Sequence, residues 1–340
     1  MNRRSTLLAV VGAASVALVL GGCAGAGSGT ARGATADSGT AAATAGYPVT
    51  LDNCGTTVIV AAAPKRIVTI KSSTTELLLA LGLGDRIVGS AFLDGPLPAS
   101  LATAGKGLNV VSDFVPGQEA VLALTPDFVY GGWESNFTAD GVGERGQLDG
   151  LGIGSYVSPA ACKGSGYMPD PLTFDSVFAE ITEAGAIFGR ADAADRLVKT
   201  QEKALAGLAP ARAKNTALWY SSGTDNPYVG AGIGSPAMIM KAAGLTNVFA
   251  DVHDTWTSVG WESVIAANPS VIVLVDATWN TAASKIATLE SNPASQGLDA
   301  VQNKRYIVLP FAATEAGIRN VEAAGSAIDQ LAALDKQKTE

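Results

Sequence analysis

Histidine is almost missing from this 340-residue chain, which has one, His253. A His-based metal centre needs two or more, and any Ser–His catalytic pair would have to use that single residue. Neither G-x-S-x-G nor S-x-x-K occurs, so the common nucleophilic hydrolase signatures are absent. Charge is sparse, at 16% of residues, and leans acidic for a net −8. Nucleic-acid binding calls for clustered Lys and Arg, so that class is excluded. What the chain does have is apolar material, 47% hydrophobic, which supports real cores and argues against global disorder. Its length suits one large or two medium domains.

Long hydrophobic runs are confined to the N-terminus. Arg3 and Arg4 precede an uncharged stretch, Ser5 to Gly22, rich in Leu, Val and Ala. The stretch is short for a membrane-spanning helix, which needs about 20 residues, and suits the apolar part of a signal peptide. It ends in Leu20-Gly21-Gly22-Cys23, which resembles a bacterial lipobox, where the cysteine is lipidated and becomes the first mature residue. An ordinary signal peptide with an incidental cysteine, or an uncleaved anchor, are the competing readings. Arg3-Arg4 is only faintly similar to a twin-arginine signal. Residues 23–46 are mostly Ala, Gly, Ser and Thr, a composition that cannot build a core and reads as a flexible tether. Removing residues 1–22 would leave two cysteines, Cys54 and Cys162. An even count in an exported chain points to one disulfide, with two buried free thiols as the alternative.

From Val49 onward, short apolar runs alternate with helix-like segments. Arg66-Ile67-Val68-Thr69-Ile70 predicts a strand. Ser73-Thr74-Thr75-Glu76 predicts a capping box ahead of the Leu77–Leu81 helix, which Gly82 can stop, and Ile87-Val88 opens the next strand. Such alternation implies βαβ units and a largely parallel sheet. The segment Glu119 to Tyr130 aligns without gaps on Glu262 to Val273, with Glu, Val, Ala and Pro identical. Each copy reads as a helix with Glu in its first turn, a proline after the helix, a strand, and then a tryptophan, Trp133 or Trp279. Chance similarity in an Ala- and Val-rich chain is the competing reading. Between the copies, Phe174, Val177, Phe178 and Ile181 share one helical face. Gly189-Arg190 interrupts, and a second helix from about Ala191 to Leu208 spans on the order of 27 Å. The organisation is therefore a leader at 1–22, a tether at 23–46, an α/β lobe at 47–173, connecting helices at 174–210 and a second α/β lobe at 211–335, with a cleft between the lobes.

Read in order, several segments resemble the substrate-binding proteins of bacterial ABC importers for iron–siderophore complexes, haem and cobalamin. They are Ala63-Pro64-Lys65-Arg66-Ile67-Val68, Glu76 through Gly89, Leu124-Thr125-Pro126-Asp127-Phe128-Val129, Gly244 through Val248, Trp261-Glu262 with Asn268-Pro269, and Ala300 through Leu309. The resemblance implies two similar lobes with mainly parallel sheets, joined by a single long rigid helix with little hinge closure. It implies no catalysis and no resident cofactor: a monomer at the extracellular face of the membrane, held by the Cys23 lipid, takes up a small molecule and hands it to a permease dimer with its ATPase. In that family one carboxylate on each lobe docks on the permease, and Glu119 and Glu262 fall at the matching positions. A quasi-symmetric pair of charges suits a two-fold partner; stabilisation of a helix N-terminus is the plainer role.

For the cleft, the resemblance brings Trp133 and Trp256 to positions that stack on ligand, and the repeat adds Trp279. Trp219-Tyr220 ends a strand-like run, so Tyr220 is a further candidate. Trp219 and Trp261 are weaker ones, with core packing as the alternative. Arg319 is a candidate anion contact, or else half of an i,i+4 pair with Glu315 in a helix capped by Thr314. Lys71 is a second cationic candidate. His253 sits in Asp251-Val252-His253-Asp254 and reads as an exposed loop residue. Gly230 through Pro236 fits no phosphate-loop spacing and predicts a helix start with Ser235 as cap and Pro236 next. A siderophore is the first ligand expectation and cobalamin the second. The Asp52-Asn53-Cys54-Gly55, Ser158 through Cys162 and Gly317 through Asn320 stretches are also similar to an actinobacterial subgroup associated with a deazaflavin (F420) precursor.

Overall fold

Ile67, Val68, Thr69 and Ile70 are all buried. A β-branched run with no exposed side is what a strand covered on both faces requires. In the computed structural model, which describes residues 46–210 and 214–337, that strand is the centre of a five-stranded sheet, the first of two large sheets. The predicted leader, Cys23 and the tether up to residue 45 lie outside the described residues. Among the described residues, no helix is long and apolar enough to cross a membrane.

The first lobe opens with an antiparallel ribbon, β1 (Val49–Asn53) and β2 (Thr56–Val60). There follow β3 (Ile67–Ile70), α1 (Ser72–Ala80), β4 (Ile87–Ala91), β5 (Val110–Ser112), α2 (Gln118–Ala123), β6 (Phe128–Gly131), α3 (Arg145–Gly150) and β7 (Gly154–Val157). The order is β5-β4-β3-β6-β7, all parallel. Two helices, α4 (Phe174–Ile187) and α5 (Ala191–Ala206), lead to the second lobe. It comprises β8 (Asn215–Ser222), β9 (Tyr228–Gly230), α6 (Ser235–Ala242), β10 (Leu245–Asn247), β11 (Trp256–Ser258), α7 (Trp261–Ala267), β12 (Val271–Asp276), α8 (Ala282–Ser291), α9 (Asp299–Gln302), β13 (Tyr306–Pro310), α10 (Phe311–Thr314) and α11 (Asn320–Gln337). Its order, β11-β9-β8-β12-β13, mirrors the first lobe, with β10 also on β8 and with β9 and β11 antiparallel.

The repeat read from the sequence is a structural repeat in register. α2 and α7 each start one residue before the glutamate, behind a glycine, Gly117 or Gly260. After each helix, two residues on for α2 and one for α7, a residue of positive φ precedes the proline, Thr125 at 47° and Asn268 at 37°. Asparagine tolerates that left-handed conformation; a β-branched threonine does so at a cost of about 1–2 kcal/mol. Arg66 holds it there, donating to the Thr125 carbonyl at 2.7 Å and to the Leu124 carbonyl at 2.6 Å.

The predicted capping box at Ser73–Glu76 does not form. α1 begins at Ser72 with no side-chain cap of its own. Its N-terminus is buried, and a distant residue serves it: Asp94 accepts from the Ser72 amide at 3.2 Å. Thr74 and Thr75 donate back to the carbonyls of Ile70 and Lys71, and Glu76 is buried against Arg319. The helix does stop at Gly82 (φ 74°), with Gly82 and Leu83 amides bonding to Leu79 and Leu78 carbonyls, a Schellman close. Two further caps shift. Gly234 takes the cap position of α6, and Ser235, its first residue, donates to the Thr314 carbonyl at 2.5 Å. Thr314 ends α10 rather than capping the terminal helix, which starts at Asn320.

Both sheets are packed on two faces. Phe174 and Leu208, at the two ends of the α4–α5 pair, join the inner clusters of both lobes and so tie the lobes together. The break between the helices is at Gly189, whose φ of 67° strains any side chain and whose Cβ would sit a tight 3.2 Å from Ala63 and Tyr47. Cys54 and Cys162 form a disulfide, Cα–Cα 5.3 Å, across 108 residues. It pins the β1–β2 turn to the loop after β7. Asn53 reinforces it, exchanging 2.8 Å hydrogen bonds with the Val157 backbone. Closing so long a loop stabilises by about 4–5 kcal/mol in the chain-entropy model. The Cys54→Ser, Cys162→Ser double variant is therefore expected to lose stability of that order in urea unfolding. A loss under about 1 kcal/mol would show that the loop is already ordered without the bond.

Candidate functional site

In open parallel sheets the carboxyl ends of the strands leave a crevice where ligands bind. Here the strands of both lobes end on the same crevice. Gly132 and Trp133 follow β6, Ser158 follows β7, Ser221 and Ser222 end β8, Trp279 follows β12 and Phe311 follows β13; all line one cavity of about 390 Å³. A helix that crosses back between parallel strands runs opposite to them. Glu119 and Glu262, exposed in the first turns of α2 and α7, therefore lie at this same edge of their lobes.

The aromatic wall comes from both lobes. Trp133 donates its indole N–H to Glu315 Oε2 at 2.6 Å, across the lobe boundary, and stands edge-on to Phe92 at 5.4 Å. Trp256 stacks on Tyr228 at 6.1 Å and 11°, and Trp279, 55% exposed, stands edge-on to Phe311 at 5.8 Å. The turn carrying Trp279 is held by Lys285, whose buried ammonium donates to the carbonyls of Val275 and Asn280. Burial pulls the Lys285 pKa down to about 8. Gly132 is needed for the close approach of this strand end to Lys71 and Ser73, since a Cβ would meet Lys71 Cβ at 2.8 Å.

Three of the predicted tryptophans thus line the cavity, while three other predicted contacts do not. Lys71 is fully buried beneath Trp133, paired with Asp94 and enclosed by the rings of Trp133 at 3.8 Å, Phe92 at 4.2 Å and Phe311 at 4.8 Å. An ammonium there needs a counterion, and Asp94 supplies it. Arg319 pairs with Glu76 at 3.5 Å and Glu322 at 3.8 Å, not with Glu315, and is likewise withdrawn from the cavity. Tyr220 is core, packed on Trp261, its hydroxyl donating to Gly223 at 2.6 Å. Trp219 is fully buried behind Trp256, and Trp261 is buried with its N–H on the Thr224 carbonyl. His253 is exposed beside Asp170, 3.4 Å away.

The sequence reading missed Tyr228, Phe311, Ser73, Glu134, Lys163 and Glu315. Phe311 directly follows a β-branched strand, the same signal that marked Trp133 and Trp279. Lys163 crosses from one lobe to the other, donating from Nζ to Thr255 Oγ1 at 2.8 Å and pairing with Asp254 at 3.3 Å, while its amide donates to Glu134 at 2.6 Å. Glu315 is half-buried, and its loss of solvent pushes its carboxyl above the usual range against the pull of Lys71. Ser158 is placed by Glu180 on α4, which accepts from Ser158 at 3.0 Å and from Tyr130 at 2.7 Å.

Residues 67–313 match the profile of a family described as periplasmic binding protein. The uncharacterized ABC transporter substrate-binding lipoprotein YvrC of Bacillus subtilis (strain 168) is 28% identical over 81% of this chain and 83% of its own length. The vitamin B12-binding protein of Yersinia pestis (strain Pestoides F) is 27% identical over 63% of this chain and 70% of its own. Among solved structures, the ABC-type Fe3+-hydroxamate transport system protein of Saccharomonospora viridis DSM 43017 superposes with a TM-score of 0.71, at 26% identity, over 84% of this chain and 99% of that one.

Burial raises Glu180 from 4.5 to about 7, with Glu183 adding to the rise and the hydrogen bonds from Tyr130 and Ser158 opposing it. Glu76 is raised to about 7 as well, first by burial, against Arg319. Between about 4.5 and 7 the folded chain keeps protons on these groups that the unfolded chain has lost. Their contribution is therefore full below the lower value and is lost as pH rises through the upper one. Urea midpoints are expected to rise when pH is lowered from about 8 to about 5.5, and Glu180→Gln should flatten that rise. An unchanged pH dependence in the variant would rule Glu180 out as a source.

Proposed function

The chain belongs to the periplasmic binding protein family, and from that premise we propose that it is the extracytoplasmic substrate-binding component of an ABC importer. It holds a bulky iron–siderophore or similar chelate between its lobes and delivers it to a membrane permease. The observation that carries this reading is the single crevice, lined by indole rings from both lobes, at the carboxyl edges of two quasi-equivalent sheets. Large ring faces need such surfaces. The Saccharomonospora viridis likeness, titled as a Fe3+-hydroxamate transport system, supports siderophore cargo. A corrinoid is the second reading, favoured by the Yersinia relative.

Glu119 and Glu262 are the docking residues in this proposal. They occupy the same position of two repeated helices at the cleft edge, both exposed, and so present two like charges to a two-fold permease. Cys23 carries the lipid and residues 23–46 are the tether; the YvrC relative is named a lipoprotein, which supports this reading. No catalytic residue is assigned.

Two variants of the full chain separate capture from delivery. Trp133→Ala with Trp256→Ala is expected to weaken cargo binding by about tenfold or more, read by calorimetry on the purified protein. Glu119→Ala with Glu262→Ala should leave that affinity intact and cut cellular uptake of radiolabelled cargo by about tenfold. Normal uptake with the docking variant would discard the two-glutamate contact.

A further inference from the structure

We infer that the cavity selects cargo without net negative charge: a neutral or cationic, broad-faced compound whose rim carries carbonyl-type acceptors. The inference rests on the proposed function, since it takes the cavity as the cargo site.

The charges around the cavity carry the argument. Among the described residues, one cationic side chain lines it, Lys163. Its ammonium is already committed to Thr255 at 2.8 Å and Asp254 at 3.3 Å. The two other cations near the floor are spent within the protein, Lys71 on Asp94 and Arg319 on Glu76 and Glu322. Among the described residues, no guanidinium fork, the usual partner of carboxylate or phosphate, lines the space.

Carboxylates do reach it. Glu134 and Glu315 both line the cavity. Each accepts one hydrogen bond, from the Lys163 amide and the Trp133 indole respectively. A second carboxylate or a phosphate brought in on a ligand would sit beside them in a space walled by rings, where repulsion is poorly screened and desolvation is costly.

The remaining lining suits the opposite kind of guest. Trp133, Trp256, Trp279, Tyr228 and Phe311 offer ring faces, which attract cations and apolar surface. The hydroxyls of Ser73, Ser221 and Ser222 can donate to uncharged acceptors such as amide or hydroxamate carbonyls. The acidic chain, net −8, steers the same way.

The test is a set of intrinsic-fluorescence titrations on the full mature chain. The probes are a cationic ferric trihydroxamate (ferrioxamine B), a neutral one (ferrichrome), neutral cyanocobalamin, haem with its two propionates, and an anionic ferric tris-catecholate. At least one neutral or cationic probe is expected to bind about tenfold or more tighter than both anionic ones. Equal or tighter binding of haem or the catecholate overturns the charge selection and leaves the importer reading standing. Failure of all five probes to bind overturns the cargo reading of the cavity, and the selection with it.

Discussion

The floor between the lobes depends on one buried charge. The Lys71 ammonium, with no exposure to water, is neutralised by Asp94 and roofed by rings from both lobes, Phe92 and Trp133 from the first and Phe311 from the second. A buried ion pair is a weak source of net stability, but leaving either partner alone costs several kcal/mol, so the pair dictates what lies around it. Asp94 must fold in over the start of α1, where it also serves the Ser72 amide. Trp133 must lie over the ammonium, and its N–H then finds Glu315 from the opposite lobe. Glu76 with Arg319, and Lys163 with Thr255 and Asp254, add further polar ties across the same seam.

That seam explains why the crevice is aromatic above and charged below. The buried charges compensate one another beneath the rings, so the cavity lining is made of ring faces, hydroxyls, two carboxylates and the Lys163 ammonium. The disulfide and the Asn53 bonds hold the rim loop that carries Lys163, and Lys285 holds the turn that carries Trp279. The wall is thus positioned from behind, by contacts outside the cavity.

The parts of the site that were legible early share a local signal. Trp133 and Trp279 each follow a β-branched or aromatic strand, and the end of a parallel strand faces the crevice whatever the rest of the chain does. Phe311 carried the same mark. The two-lobe plan was legible because Glu119 to Tyr130 repeats as Glu262 to Val273, and the helix, left-handed residue, proline and strand all recur in register. Lys71, Arg319 and Tyr220 lie away from the cavity lining for a common reason. Each has the chemistry of a binding group, but whether it faces a cavity depends on Asp94, Glu76 and Trp261, which lie far away in the chain. The capping box at Ser73–Glu76 misled similarly: its spacing is local, but its N-terminus is buried, and a remote carboxylate displaced the expected cap.

By itself the sequence determined the alternation of strands and helices, the doubled lobe and the rings at the strand ends, because periodicity and strand polarity act over a few residues. Only the tertiary structure decided which charges are free and which are spent. A charge in low dielectric takes whatever partner the fold brings within reach, and that partner cannot be read from its neighbours in the chain.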